Sequence, residues 1–353
     1  MSLTEPSMIP LGSSGSRGIN CMDAETLEKK KKEIAGQWGP WRAHNIQLHD
    51  QIYTIENRVL GDGIKLRRIM QIIADFDPKP VHDLTVLDLG CLEGLYAIEL
   101  ARQGAKVIGV EGRRANIEKA SFVKEALSLD NVDFVLEDVR NLSPERHGHF
   151  DVVLCLGILY HLDVPDVFRF LGTIAAMTDR IMIIDTHVSI IPRECCIHNG
   201  KKYWGRVYYE FYPGTTEEEK ATSPFASLAN EKSFWFTRPS LYNLLKSVGF
   251  TSIYECHNPR EAQTWYDRVT LVAVKGDRAQ LLTSPLVNSM PEDDWSEGKP
   301  PVSHPQGQSY SHAILWRLLE SSPRLRRVLK LARQLTARSA GLRRRRLQSL
   351  QRP

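Results

Sequence analysis

No stretch of the chain approaches the roughly 20 consecutive apolar residues that a membrane-spanning helix needs, so no such span is expected. The opening, MSLTEPSMIPLGSSGSRGIN, has neither a basic start nor an apolar core, so it does not have the pattern of a secretory signal; a disordered leader is expected over 1–22. Cysteine is scarce, and its spacing suggests no pairing. Of the six, Cys91 and Cys155 sit in apolar contexts, and Cys195 and Cys196 are adjacent, which disfavours a simple bridge. Without an export pattern, reduced thiols and a cytoplasmic location are expected. There is no C-x2-C pair and no metal-ligand spacing, so no metal site is expected. No G-K-[ST] closes a glycine loop, which excludes a Walker phosphate site. No internal repeat is found.

What is present is ordinary soluble composition over 353 residues, 42% hydrophobic and 25% charged. The net charge of +4 hides an asymmetry: from Arg317 to Pro353 there are twelve Lys or Arg and one acid, Glu320, so this tail carries +11 and the remainder −7. Leu325, Val328, Leu329, Ala332 and Leu335 recur in the tail at helical spacing with basic residues between them. A basic amphipathic tail over 313–353 has three readings: packing on the body or disorder, contact with an anionic membrane surface, or contact with nucleic-acid phosphates. Residues 277–312 collect Pro, Ser and Gly without periodicity and read as a flexible linker.

Between these ends the pattern alternates. Apolar runs at 85–89, 106–110, 132–136, 150–156 and 180–185 are strand candidates, and helical patterns fit 95–103, 114–128 and 165–177. This rhythm predicts a mostly parallel sheet with helices on both faces, behind an N-terminal helical cap at 23–80. After Asp185 the rhythm stops for about fifty residues, an unusually long gap. This insertion, 186–236, contains YWGRVYYEFYP and SFWF and reads as the packed core of a small lid, as an acceptor pocket, or as both. TRPSLYNLLKSVGF then predicts a helix with Thr237 as N-cap and Gly249 just past its end. Two closing strands fit 251–256 and 268–275.

The chemistry is expected where the first strand ends. VLDLGCLEGLYAIEL turns from an apolar run through Asp88, Gly90 and Gly94 into a helix. A dinucleotide loop has a middle glycine, so that backbone can close on a diphosphate. Here Leu92 fills that position, and Glu93 adds negative charge, so sterics and charge both disfavour a phosphate-bearing ligand. S-adenosylmethionine has no phosphate and suits the turn. Glu111, at the end of the second strand, stands where an acid accepts from ribose hydroxyls. Asp138, after the third strand, stands where an adenine amine is read.

DLGCLEG, VEGRR, EDVRNL and FDVVLCLGILYHL, in this order, resemble the class I S-adenosylmethionine-dependent methyltransferases. The resemblance implies a Rossmann-like, seven-stranded, mostly parallel sheet over 81–276. It places the cofactor against Asp88, Gly90, Cys91, Leu92, Gly94, Glu111, Gly112, Asp138, Val139 and Leu156. LGILYHLDVP, WGPW and SFWFTRPSLYNLLKSVGF are similar to the tRNA wobble-uridine carboxymethyltransferase family. That family reads a carboxylated cofactor with a lysine, a tyrosine and a later arginine. Tyr160 matches the tyrosine, but Trp38 stands at the lysine and cannot pair a carboxylate, so ordinary S-adenosylmethionine is expected.

Tyr160 and His161 follow the fourth strand, beside the expected sulfonium. His161 reads as a general base or as a structural capping residue, and Asp185 as an acceptor-orienting group or a solvated strand end. His44 and Asn45 could close over the cofactor. The expected activity is methyl transfer to an oxygen or nitrogen of a small molecule, a sugar or natural-product intermediate. Modification of tRNA or other RNA, and a non-catalytic cofactor-binding scaffold, are the alternatives. Oligomeric state is not legible.

Overall fold

The computed structural model describes residues 22–211, 214–223, 225–257 and 267–290. The expected basic tail and all but Met22 of the expected leader lie outside the described residues, as does the linker beyond 290. The described part of that linker is exposed and carries a 3-10 turn at Pro285–Ser289.

The N-terminal cap begins with α1 (Ala24–Trp38), where Asp23 accepts from the Thr26 backbone N–H at 2.8 Å and so satisfies an otherwise orphaned donor. A short antiparallel ribbon, β1 (Gln47–His49) and β2 (Ile52–Tyr53), follows, then α2 (Gly61–Phe76). The expected alternation comes next: β3 (Thr85–Leu89), α3 (Leu95–Arg102), β4 (Lys106–Glu111), α4 (Arg114–Ala126), β5 (Val132–Leu136), the short α5 (Pro144–His147), β6 (Phe150–Leu156), α6 (Asp166–Met177) and β7 (Thr178–His187). The insertion adds β8 (Glu194–His198), β9 (Lys201–Tyr209), α7 (Glu217–Thr222) and β10 (Lys232–Phe236). It is followed by α8 (Arg238–Ser247), β11 (Ser252–Glu255) and β12 (Arg268–Val274).

Seven strands form one sheet in the order β11-β12-β7-β6-β3-β4-β5. The five from β7 to β5 run parallel, and β12 and β11 each pair antiparallel with their neighbour. The continuous apolar runs have a simple cause. Leu87, Leu89, Val153, Cys155, Met182 and Ile184 point into the core packed by α6 and α8. Val86, Val152, Leu154, Ile181 and Ile183 point into the opposite core, packed by α2, α3 and α4. With both faces covered, neither side of these strands can be polar.

The chain moves outward from β3 to β5, then returns to β6 on the other side of β3. The carboxyl ends of β3 and β6 therefore diverge, and a crevice opens between their loops.

The insertion is a second sheet, which the aromatic pattern had not suggested: three antiparallel strands in the order β10-β9-β8. Its tight hairpin turns at Asn199 and Gly200, both left-handed with φ of 49° and 75°. This is the Asn-Gly turn whose twist matches paired strands. One face of the sheet buries Tyr203, Phe234 and Phe236 against Phe168 of α6, and each such phenylalanine contributes about 1.5–3 kcal/mol. The other face turns Trp235, Arg206 and Tyr208 towards the carboxyl end of β7.

Candidate active site

A cavity of about 260 Å³ occupies the crevice. The loop after β3 has three left-handed residues, Gly90, Leu92 and Gly94, at φ of 61°, 46° and 88°, and the first two form the cavity floor. A Cβ on Gly90 would lie 2.1 Å from Ile158 Cδ1, so only glycine lets the β3 and β6 loops approach this closely. Leu92 takes the glycine-like conformation at a cost of about 1–2 kcal/mol. Its N–H donates to Glu111 Oε2 at 3.1 Å, which offsets part of that strain.

Glu111 ends β4 on the cavity wall, buried, with its second oxygen accepting from the Arg113 N–H at 2.8 Å. Burial raises its pKa, while these two backbone donors favour the carboxylate. The bonds fix both oxygens in place with lone pairs to spare for hydroxyl donors. Asp138 also lines the cavity, but its carboxylate is held by Arg140 Nε at 3.0 Å and by Arg140 Nη2. Burial pushes the Asp138 pKa up, and the Arg140 hydrogen bonds outweigh it, leaving the group below the ordinary range. Gly112, Val139 and Leu156 complete the wall.

Other expected contacts fall elsewhere. Asp88, Cys91 and Gly94 are buried and do not line the cavity. Burial pushes the Asp88 carboxyl up to about 8, against a hydrogen bond from the Ala97 backbone. A Cβ on Gly94 would meet Phe134 and Ala120 at 3.0 and 3.1 Å, so this glycine serves the packing of α3 against α4 and β5.

Glu93 faces away from the cavity. It accepts from the backbone N–H groups of Arg42, Ala43 and His44 at 3.0 Å and pairs with buried Lys119 at 3.1 Å. Its expected repulsion of a phosphate therefore does not operate, because Lys119 neutralises it and it tethers the N-terminal cap. A different feature takes over. His44 lines the cavity, and its Nδ1 accepts the Leu95 N–H at 3.1 Å, capping the helix end that would receive a phosphate. Burial lowers the His44 pKa and favours the neutral acceptor. Asn45 instead binds the 55–58 turn.

Asp185, expected near the acceptor, is 2% exposed and does not line the cavity. Arg268 Nε donates to it at 2.7 Å, Arg268 Nη2 pairs with it, Thr270 donates at 2.9 Å and Lys65 lies at 3.6 Å. Burial raises its pKa and the Arg268 charge more than reverses this, so the carboxylate stays ionised and fully engaged. It anchors the cations and is not a proton acceptor. Arg268, Lys65 and Asp62, none of them singled out from the sequence, all line the cavity. The buried Tyr96 hydroxyl there has no hydrogen-bond partner among the described residues.

Tyr160 and His161, just past β6, line a rim of the cavity. Burial raises the Tyr160 pKa, and the Arg268 guanidinium, 5.7 Å from the ring centre, opposes the rise. His161 Nδ1 lies 2.9 Å from Oε2 of Glu210, at the end of β9, whose side chain is 2% exposed. A strap of the insertion, 225–230, crosses this rim. Arg113 Nη2 donates to the carbonyls of Ala226 and Ser227 at 2.9 and 3.1 Å, and Asn230 donates to the His161 carbonyl at 2.8 Å.

A seven-stranded sheet of five parallel strands closed by the antiparallel β12 and β11, with a glycine turn after its first strand and an acid at the end of its second, has the architecture of a class I S-adenosylmethionine-dependent methyltransferase domain. S-adenosylmethionine is the cofactor of this domain. The profile of the family described as "Methyltransferase domain" matches residues 63–255, and the chain belongs to that family.

Among curated relatives, the ubiquinone biosynthesis O-methyltransferase of Pelagibacter ubique is 29% identical over 155 residues, 42% of this chain and 59% of that protein. The O-antigen chain terminator bifunctional methyltransferase/kinase WbdD of Escherichia coli is 28% identical over 133 residues, 35% of this chain and 16% of that protein. The chain thus spans less than two thirds of either relative. Among solved structures, the N-terminal domain of EvdMO1, determined in the presence of SAH and D-fucose, matches with a TM-score of 0.57 and 25% identity. That match covers 74% of this chain and all of that one. Among the described residues no helix is long and apolar enough to cross a membrane.

Proposed function

We propose that the protein transfers the methyl group of S-adenosylmethionine to a hydroxyl oxygen of a small, sugar-like acceptor, with His161 as general base. When bound, the cofactor supplies an electrophilic methyl on a sulfonium. Glu111 takes the ribose hydroxyls, and Gly90, Gly112 and Leu92 shape the floor. Asp138 and Val139 flank the base end, and Tyr96, Asp62 and Lys65 stand at the amino-acid end. The acceptor approaches from the rim under the β8–β10 sheet.

The observation that carries the reading is the contact of His161 Nδ1 with both Glu210 oxygens, at 3.0 and 2.9 Å. A carboxylate there accepts the Nδ1 proton, and a neutral ring so held keeps a lone pair on Nε2. That lone pair, on the cavity rim, suits removal of a hydroxyl proton as the methyl arrives. The likeness to EvdMO1, whose N-terminal domain was determined in the presence of D-fucose, and to the O-antigen chain terminator WbdD supports a sugar-like acceptor.

The narrower kinship with wobble-uridine carboxymethyltransferases finds no support among these relatives. Trp38, at that family's lysine position, ends α1 and does not line the cavity. The test is incubation with methyl-labelled cofactor and, separately, hydroxylated sugars, a metabolite extract and total tRNA. Label is expected in a small hydroxylated product. Label in tRNA, or cofactor binding with no transfer to any pool, would overturn the reading.

A further inference from the structure

The base does not stand alone. Both oxygens of Glu210 lie within reach of His161 Nδ1, at 3.0 and 2.9 Å. The same carboxylate accepts the Ser227 N–H at 3.1 Å, so it is fixed from a second direction. Ser227 belongs to the strap whose carbonyls, at Ala226 and Ser227, receive Arg113. Arg113 in turn gives its backbone N–H to Glu111, the ribose acid. Leu228 sits over Gly112 so closely that a Cβ there would lie 2.2 Å from Leu228 Cδ1. A chain of direct contacts thus runs from the ribose acid, through the strap, to Glu210 and His161. Glu210 lies 49 positions from His161 in sequence, just past β9 of the second sheet, so the pair exists only when the insertion is folded onto the core.

From this we infer that Glu210 is the positioning residue of the transfer: it holds His161 as the Nδ1–H tautomer with Nε2 turned to the acceptor, and the strap sets Glu210 in place. The inference rests on the reading of His161 as base. Proton balance is complete within it. The acceptor hydroxyl proton moves to Nε2 as the oxygen–methyl bond forms and the sulfur–methyl bond breaks, and the sulfur keeps the electron pair. The resulting imidazolium faces the Glu210 carboxylate, which stabilises it.

Histidine nitrogen spectra of the full chain bound to S-adenosylhomocysteine test the inference without an acceptor. Wild-type protein is expected to show His161 with Nδ1 protonated and Nε2 bare. Glu210→Gln, whose amide can donate as well as accept, is expected to lose that preference while S-adenosylhomocysteine affinity stays within about threefold. With the acceptor found by the labelled-methyl screen, Glu210→Gln should lower kcat about 10²-fold with KM little changed. Glu210→Asp should recover a substantial part of the rate.

If Glu210→Gln keeps the wild-type tautomer and kcat while His161→Gln loses the rate, the positioning role is overturned and the base survives. If His161→Gln keeps its kcat, the base reading fails first and this inference with it. If Glu210→Gln abolishes S-adenosylhomocysteine binding, Glu210 is a structural support of the strap and the inference is likewise overturned.

Discussion

The two halves of the cavity are built by different means. The cofactor half consists of backbone turns at the ends of parallel strands, and its key contacts are short in sequence: Glu111 reaches Leu92 and Arg113. The acceptor half consists of side chains from remote elements: His161 with Glu210, Arg113 with the strap. Turn geometry needs particular residues at fixed spacing, so it leaves a motif. Long-range side-chain pairs need only compatible chemistry after folding, so they leave none. The first half is set by a fold shared with many proteins, whereas the second is free to vary with the acceptor.

This contrast predicts unequal responses to substitution. The largest stability loss is expected at the tether between cap and glycine loop. Glu93→Ala strands buried Lys119 and three backbone donors, and should cost about 3–5 kcal/mol in denaturant unfolding. S-adenosylhomocysteine affinity should fall with it, because residues 43 and 44 line the cavity.

Next in size is Gly112→Ala, which pushes Leu228 off the ribose turn and should cost about 1–3 kcal/mol. Hydrogen exchange should report it as lost protection over 225–230, with the central sheet unchanged. Equal loss in both regions would erase the distinction between the halves.

A smaller effect concerns the insertion alone. Gly200→Ala places a side chain at φ 75° and should cost about 1–2 kcal/mol, leaving S-adenosylhomocysteine binding intact.

Set apart by its pH dependence is Asp88→Asn, whose effect is smallest at acid pH and grows towards about pH 8. The folded chain keeps the Asp88 proton up to about pH 8, whereas an unfolded carboxyl releases it at its ordinary value. The native state therefore binds the extra proton across that window, and wild-type stability falls as pH rises through it. The variant lacks this term, so its melting temperature relative to wild type should climb between about pH 5 and about pH 8. A flat difference would show that Asp88 is ionised in the folded protein.

Much of the central sheet was legible because strands buried on both faces must be apolar throughout. Thr178–His187 exceeds the expected 180–185 at both ends, where pairing with β12 and β6 extends it. The β8–β10 sheet was hidden behind its aromatics, although its Asn199-Gly200 pair was a readable hairpin signal.

At the site, Glu111 and the Gly90 turn could be placed from strand ends alone. The direction of Glu93 could not, since adjacent loop residues point oppositely and only the cap's unpaired N–H groups decide. Asp185 read from the sequence as an acceptor-orienting group or a solvated strand end. Its partner Arg268 enters from an antiparallel strand 83 residues later, and no local pattern announces that pairing.

The most direct measurement of the central claim is calorimetric titration of the full chain with S-adenosylmethionine, S-adenosylhomocysteine and NAD in parallel. A Leu92-floored loop with its helix end closed by His44 should take up the two sulfur nucleosides at one site per chain and leave NAD unbound. Binding of NAD, or heat from neither sulfur nucleoside at millimolar concentration, would contradict it.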